Sequence, residues 1–230
     1  MRPVYIVGVG PGDPEFLTLK ALRLLQEADL VAGFATVLDV VRPHIRGEAI
    51  VLTYRDQEEG LARLAQAAQE GRRCVVCAWG DPSVSAGELV ARVRRVHPCV
   101  EVVSGVSSLA IACARLGVAM EESLFVSLHR REGGEDAFAE LVEALTGGQR
   151  HVFALPRPYD LMPAGVARRL LAEGFDPSRP AVVLERLTLD GERQVCLTLG
   201  ELAHRDDFSD LTILFFPRPH REGCDGGGQG

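Results

Sequence analysis

The chain has 230 residues, 25% of them charged, and a formal net charge of −7 at pH 7. The negative balance argues against a broad nucleic-acid surface. No apolar run is long enough for a membrane span and no signal peptide precedes the first strand, so we expect a cytoplasmic protein. Six cysteines in a chain of this length do not form the pattern of a secreted disulfide framework.

From Val4 to about Gly117, apolar strand-like runs alternate with helical patterns. The runs read VYIVGVG, ADLVAGF, EAIVLT, CVVCAW and CVEVVS. Strands that are almost entirely apolar are typical of a parallel sheet covered on both faces by helices. We therefore predict a first α/β domain, residues 1–118, built on an open and mostly parallel sheet.

The pattern changes after GVAMEES. Strand-like LFVSL, HVFALP, AVVLERL, QVCLTL and LTILFF follow, with helical patterns between some of them. Asp190-Gly191 lies between two of these runs and indicates a hairpin. We expect a smaller second domain, residues 119–217, with a mixed sheet. The tail, 218–230, lacks apolar content and is predicted to be disordered.

The first strand leads into a glycine-rich turn, VGVGPGDPEF. Gly8, Gly10 and Gly12 are spaced G-x-G-x-G, and Asp13 stands where a dinucleotide fingerprint has its third glycine. Asp13 followed by Pro14 is typical of a helix N-cap. A carboxylate at that place would repel a pyrophosphate, so the sequence argues against a dinucleotide site.

Cys74 and Cys77 form a C-x-x-C motif inside the strand-like run RCVVCAW. Alternation along a strand directs these two side chains to opposite faces. Because no second pair follows at ligand spacing, the sequence favours core packing over a zinc site.

Two more turns with small residues follow later strands of the first domain. They read A-W-G-D-P-S-V-S-A, from Ala78, and V-S-G-V-S-S-L-A, from Val103. In an open parallel sheet, ligands bind at the carboxyl ends of the strands, where all three turns are expected. Each turn alone is consistent with an ordinary strand-to-helix connection. Three together favour a ligand-binding cleft.

These motifs resemble the tetrapyrrole methylase family, the S-adenosylmethionine (SAM)-dependent enzymes of sirohaem and cobalamin synthesis. The resemblance runs from Tyr5 to Phe216 and is carried by VGVGPGDPEFLTLKA, A-W-G-D-P, S-G-V-S-S and FSDLTILFF. It implies two α/β domains with the cofactor in the cleft between them, and a homodimer. The residues that it implies for binding SAM, or the product S-adenosylhomocysteine (SAH), are Val9, Pro11, Gly80, Asp81, Val84, Ser107, Ser108, Leu155, Ala181 and Thr212.

Two residues of the family pattern are also candidates for catalysis. Asp81 could accept a hydrogen bond from a ligand amine or ribose, and capping the following helix is an equally good interpretation of it. His129 is the candidate base, because an imidazole titrates near neutral pH. Without the resemblance, His129 is better explained as an exposed histidine that closes a strand.

The segment VSLHRREGG is most similar to the branch that methylates C5 of precorrin-7 or cobalt-precorrin-7, which typically has Ser-x-His-Gly-Arg here. This chain has Arg130 at the glycine position. Such a substrate carries many carboxylates, and Arg130, Arg131 and Arg157 are the candidates for binding them. Cobalt, if present, would belong to the substrate, and the protein itself is expected to bind no metal.

Other functions stay open at this level. A family member with a different acceptor is one alternative: another ring carbon of a precorrin or uroporphyrinogen, or the modified histidine of diphthine synthesis. A non-enzymatic or nucleotide-binding α/β protein that only shares the cleft is another. The C5 branch also implies a separate pathway partner that methylates C15 and removes a carboxyl group, since this chain is too short to contain that second enzyme.

Overall fold

The computed structural model describes residues 2–129, 134–158 and 160–219. The chain divides into two compact units. The first contains the residues up to Leu116 together with Arg186–Glu192, and the second contains Gly117–Glu185 and the chain from Arg193 onward. Most of the predicted disordered tail, 220–230, lies outside the described residues.

The first unit is a parallel sheet with helices between its strands. Its strands are β1 (Val4–Gly8), β2 (Leu30–Phe34), β3 (Glu48–Leu52), β4 (Cys74–Ala78) and β5 (Val100–Val103), in the order β3-β2-β4-β1-β5. Its helices are α1 (Leu19–Glu27), α2 (Ala35–Val41), α3 (Gln57–Gln69), α4 (Pro82–Ser85), α5 (Gly87–Val96) and α6 (Ser108–Leu116). Every strand pair is parallel, which confirms the predicted sheet.

Both faces are buried at the strands β1, β2 and β4, as their apolar sequences predict, whereas the edge strands β3 and β5 are partly exposed. Cys74 belongs to the apolar cluster on one face, and Cys77 to the cluster on the other. Burial raises the pKa of the Cys77 thiol to about 12 and that of Cys74 to about 11, so both thiols are protonated at neutral pH. The C-x-x-C motif is therefore part of the core. Within the described segments, no cluster of three His, Cys, Asp or Glu side chains could hold a metal ion.

The second unit has a mixed sheet, as predicted. Its strands are β6 (Ser123–Ser127), β7 (His151–Leu155), β8 (Pro180–Glu185), β9 (Arg193–Thr198) and β10 (Thr212–Phe216), in the order β6-β7-β10-β8-β9. Its helices are α7 (Gly134–Gly147), α8 (Pro163–Ala172) and α9 (Leu199–Leu202). Among the described strands of this unit, β6 and β7 pair in parallel and the other pairs are antiparallel.

The hairpin signal at Asp190-Gly191 is confirmed, because β8 and β9 pair antiparallel from Glu185 opposite Arg193. The connection is longer than a two-residue turn: it comprises Arg186–Glu192, the segment that belongs to the first unit. No helix in the described part of the chain is long and apolar enough to span a membrane.

Candidate functional site

The three predicted turns follow β1, β4 and β5, which are neighbours in the sheet, and their backbones are in contact. Gly80 donates its amide hydrogen to the carbonyl of Gly10 at 2.8 Å, and Gly10 donates to Gly80 at 3.3 Å. A Cβ atom at Gly8 would lie 2.4 Å from the Gly80 carbonyl oxygen, and one at Gly105 would lie 2.2 Å from the same oxygen. The turns approach this closely because these positions lack side chains.

Side-chain caps fix the start of the helical segment after each turn. Asp13 accepts a hydrogen bond from the amide of Glu15 at 2.9 Å, and Asp81 accepts from the amide and hydroxyl of Ser83 at 2.8 and 2.6 Å. Ser107 accepts from the amide of Leu109 at 3.2 Å. Asp81 thus has the capping role that the sequence allowed. Its capping bonds use Oδ1, and within the described residues Oδ2 accepts no hydrogen bond.

The remaining predicted residues of the first unit line these turns. Val9 and Pro11 are buried, so a ligand there would meet their backbone more than their side chains. Val84, Ser107 and Ser108 are half-buried. Among the described residues of the three turns, the side chains are small or apolar apart from Asp13 and Asp81, and none is a cation that could bind a phosphate. This suits the adenine and methionine parts of SAM, which need hydrogen-bonding edges and close contact, and it suits a pyrophosphate poorly.

In the second unit, three predicted residues share one end of the sheet. Leu155 ends β7 and accepts a hydrogen bond from the amide of Leu128 at 3.0 Å. Thr212 begins the antiparallel neighbour β10, and its hydroxyl donates to the carbonyl of Ser209 at 2.7 Å. His129 follows β6 directly after Leu128. Leu155, Thr212 and His129 therefore lie at the carboxyl end of the parallel pair β6 and β7.

His129 is half-buried beside the segment that follows β7. Burial lowers the pKa of His129, while a hydrogen bond to the Pro156 carbonyl acts in the opposite direction without cancelling the effect. The imidazole is therefore neutral at pH 7. With one ring nitrogen donating to Pro156, the other is left as a proton acceptor.

Ala181 does not join this group. Thr212 lies opposite Glu185 in the β10–β8 pair, and Ala181 is four residues away along β8, which corresponds to about 13 Å. Its side chain is fully buried in the apolar core of the second unit. The sequence could not reveal this, because the register of two antiparallel strands depends on tertiary pairing that periodicity does not encode.

The structure describes one of the three predicted substrate-binding arginines, Arg157. Arg157 exchanges backbone hydrogen bonds with Leu161 at 3.1 Å, and its guanidinium contacts Asp160 at 2.5 Å. Its side chain is about one-fifth exposed, at 22%. Arg130 and Arg131 lie outside the described residues.

The sequence interpretation missed one set of contacts at the first turn. The hydroxyl of Thr188 accepts a hydrogen bond from the amide of Asp13 at 3.0 Å, although the two residues are 175 positions apart. Leu189 packs beside Gly12. The only sequence signal was the Asp190-Gly191 turn, which predicted a hairpin but not where its loop would lie.

Comparisons with known proteins identify the family and the fold. The model of the family described as Tetrapyrrole (Corrin/Porphyrin) Methylases matches residues 3–203. A probable cobalt-precorrin-7 C(5)-methyltransferase of Methanocaldococcus jannaschii is 30% identical over 214 residues, which cover 93% of this chain and 97% of that protein.

Two solved structures share the fold over nearly the whole chain. The precorrin-6Y methylase of Archaeoglobus fulgidus has a TM-score of 0.71 at 25% identity, covering 94% of this chain and 98% of that one. The uroporphyrin-III C-methyltransferase of Thermus thermophilus, solved with SAH, has a TM-score of 0.70 at 30% identity and covers 94% and 92%. This chain therefore belongs to the tetrapyrrole methylase family, whose enzymes use SAM as the methyl donor.

Proposed function

We propose that this protein methylates C5 of precorrin-7 or cobalt-precorrin-7 in cobalamin biosynthesis. The observation that carries the proposal is the similarity to a probable cobalt-precorrin-7 C(5)-methyltransferase over almost the full length of both chains. The likeness to a precorrin-6Y methylase and the segment VSLHRREGG support the same branch.

The first unit binds the cofactor in this proposal. Bound SAM supplies an electrophilic methyl group, and the protein's task is to hold donor and acceptor in line and close together. The joined turns do so through backbone groups that need no reorganisation. The proposed contacts are Val9, Pro11, Gly80, Asp81, Val84, Ser107 and Ser108, and in the second unit Leu155 and Thr212.

The second unit supplies the proton acceptor. Once a ring carbon carries a new methyl group, a proton must leave the ring, and a base near neutral pH serves best. His129 is neutral at pH 7 because burial lowers its pKa, and its second ring nitrogen is available to accept that proton.

Arginines bind the acetate and propionate groups of the ring. A guanidinium donates two parallel hydrogen bonds to a carboxylate, which fixes the orientation of the ring as well as its position. Arg157 pairs with Asp160, and a substrate carboxylate would compete with Asp160 for the Arg157 guanidinium. Arg130 and Arg131 complete the proposed set from sequence alone.

The function is tested by mass spectrometry of cobalt-precorrin-7 incubated with the protein and SAM. The proposal predicts a gain of one methylene mass that requires both protein and SAM, and the His129→Gln variant is expected to slow it. No gain, together with calorimetric binding of SAH, would retain the cofactor site and reject this acceptor. Neither gain nor SAH binding would reject the function altogether.

A different ring acceptor is the second candidate. It is favoured by the 30% identity to a uroporphyrin-III C-methyltransferase, equal to the identity with the C5 relative. Uroporphyrinogen III belongs in the same assay as a competing acceptor, and faster methylation of it would replace the C5 proposal. A homodimer and a separate C15-methylating, decarboxylating partner stay predictions.

A further inference from the structure

The loop Arg186–Glu192 holds two residues in a backbone conformation that side chains disfavour. Arg186 has φ of +52° and Thr188 has φ of +65°, and within the described residues no other non-glycine residue has a positive φ. Threonine is β-branched, which makes Thr188 a genuine outlier. Such a residue persists where its surroundings fix it, and strain of this kind concentrates at functional sites.

Thr188 is fixed by two hydrogen bonds, one on each side. Its hydroxyl oxygen accepts from the amide of Asp13 at 3.0 Å, and its own amide donates to Oε2 of Glu192 at 2.7 Å. The next residue, Leu189, packs so closely on the glycine turn that a Cβ at Gly12 would lie 2.4 Å from its Cγ. The loop therefore rests directly on the segment that follows β1.

The same loop is tied to the third turn. The carboxylate of Glu192 accepts hydrogen bonds from Arg115, at 2.7 Å from Nε and 3.4 Å from Nη2. Arg115 lies in the last turn of α6, the helix that begins at Ser108. The Arg115 guanidinium holds the pKa of Glu192 below its ordinary value, so this carboxylate is ionised at neutral pH. One loop thus links the first turn to the helix of the third.

We propose that Thr188 is a positioning residue for the SAM site. By accepting from the Asp13 amide, it sets the conformation of the glycine turn Gly10–Asp13 before the ligand arrives, and the pair Arg115–Glu192 holds Thr188 in its disfavoured conformation. The proposal rests on the proposed function in one respect, that SAM binds at this turn. Removing the hydroxyl leaves the turn free to move, so the ligand must order it.

The test compares SAH affinity by calorimetry in the full-length protein and two variants. Thr188→Ala loses the acceptor and is expected to weaken SAH binding about fivefold, the effect of one neutral hydrogen bond. Thr188→Ser keeps the hydroxyl and is expected to bind within twofold of wild type. Amide hydrogen exchange at Asp13 should accelerate in Thr188→Ala but not in Thr188→Ser. A general loss of stability would not confine the faster exchange to this turn.

Thr53→Ala is the matched control, because it also removes a threonine hydroxyl bond in the first unit, from Thr53 to Asp56 at 2.7 Å. Its melting temperature is measured beside that of Thr188→Ala, and its SAH affinity should equal that of wild type. If Thr188→Ala does not fold, the isosteric Thr188→Val variant takes its place with the same expectation.

Three results would overturn the proposal. The first is wild-type SAH affinity in the variant without the Thr188 hydroxyl. The second is an equal loss of SAH affinity in Thr53→Ala, which would show that lower stability causes the loss. A wild-type protein that binds no SAH would reject the proposed function as well, so the failures of the two are distinguishable.

Discussion

The predicted cofactor residues of the first unit lie on backbone turns, whereas those of the second unit lie beside a side chain that can accept a proton. Gly8, Gly80 and Gly105 bring three turns into direct contact, and even the one charged residue among the predicted ligands there, Asp81, is occupied as a helix cap. In the second unit, the imidazole of His129 lies beside Leu155 at one end of the sheet. Burial lowers the pKa of this imidazole. Backbone groups that contact a ligand tolerate few changes in the shape of their turns, whereas a proton acceptor depends on the chemical nature of one side chain. The two regions should therefore respond differently to mutation.

The largest effect is expected from adding a methyl group where the turns meet. In Gly105→Ala the new Cβ would lie 2.2 Å from the Gly80 carbonyl oxygen, so the turns must separate. We expect SAH binding to fall below detection in calorimetry and the free energy of unfolding to fall by about 3 kcal/mol.

Gly87→Ala is the matched control in the same unit, because nothing lies within 4 Å of its added Cβ and its φ is not positive. This variant should gain up to about 0.5 kcal/mol by restricting the unfolded chain. Equal SAH affinity in Gly105→Ala and wild type would show that the contact between turns is not needed for binding.

His129→Gln tests the proposed proton acceptor in the second unit. Under the proposed role of His129 as general base, its loss is expected to lower kcat about 100-fold while SAH affinity stays unchanged. In wild type, the acid limb of kcat against pH should lie below pH 6.5, because the folded pKa is lowered and the neutral, proton-accepting form persists to lower pH. An unchanged pH profile in the variant would remove His129 from the mechanism.

The same lowered pKa makes a prediction about stability. Below pH 6.5 the unfolded chain binds a proton at His129 that the folded chain does not, so stability should fall as the pH drops from 6.5 through the folded pKa. In His129→Gln, this part of the pH dependence should vanish from denaturant melts.

Glu185→Gln tests the ion pair of a buried carboxylate at the same end of the second unit's sheet. Glu185 is 4% exposed, pairs with Arg193 and accepts from the amide of Ser209 at 2.5 Å. Burial disfavours its ionised form, but these hydrogen bonds outweigh that effect and lower its pKa, so its contribution is present above about pH 4.5 and is lost on acidification. We expect a loss of about 2 kcal/mol in urea melts at pH 7 and little effect on SAH affinity.

The smallest effect is expected from Asp81→Asn. Asparagine caps a helix as well as aspartate does, so the melting temperature should hardly change. If the free Oδ2 accepts from the cofactor, SAH affinity should fall about threefold with loss of the charge. Asp81→Ala removes the helix cap as well, so the two variants together separate capping from cofactor binding. Equal SAH affinity in both variants and wild type would show that Asp81 only caps the helix.

Local patterns predicted the fold and the three turns on which the candidate site lies. Apolar strands, glycine turns and the Asp13 and Asp81 caps depend on neighbouring residues, and the topology of a parallel sheet then brings the turns to one edge. Ala181 and Thr188 depend on distant pairing instead. The register of β8 against β10 puts Ala181 in the core, and a contact across 175 positions puts Thr188 at the first turn.

The measurement that tests the account most directly uses SAM labelled with ¹³C in its methyl group. After incubation with cobalt-precorrin-7, NMR of the product locates the label. We expect a single labelled methyl group on C5, absent without protein. A label on another ring carbon, or no label despite SAH binding, would contradict the assignment of this acceptor.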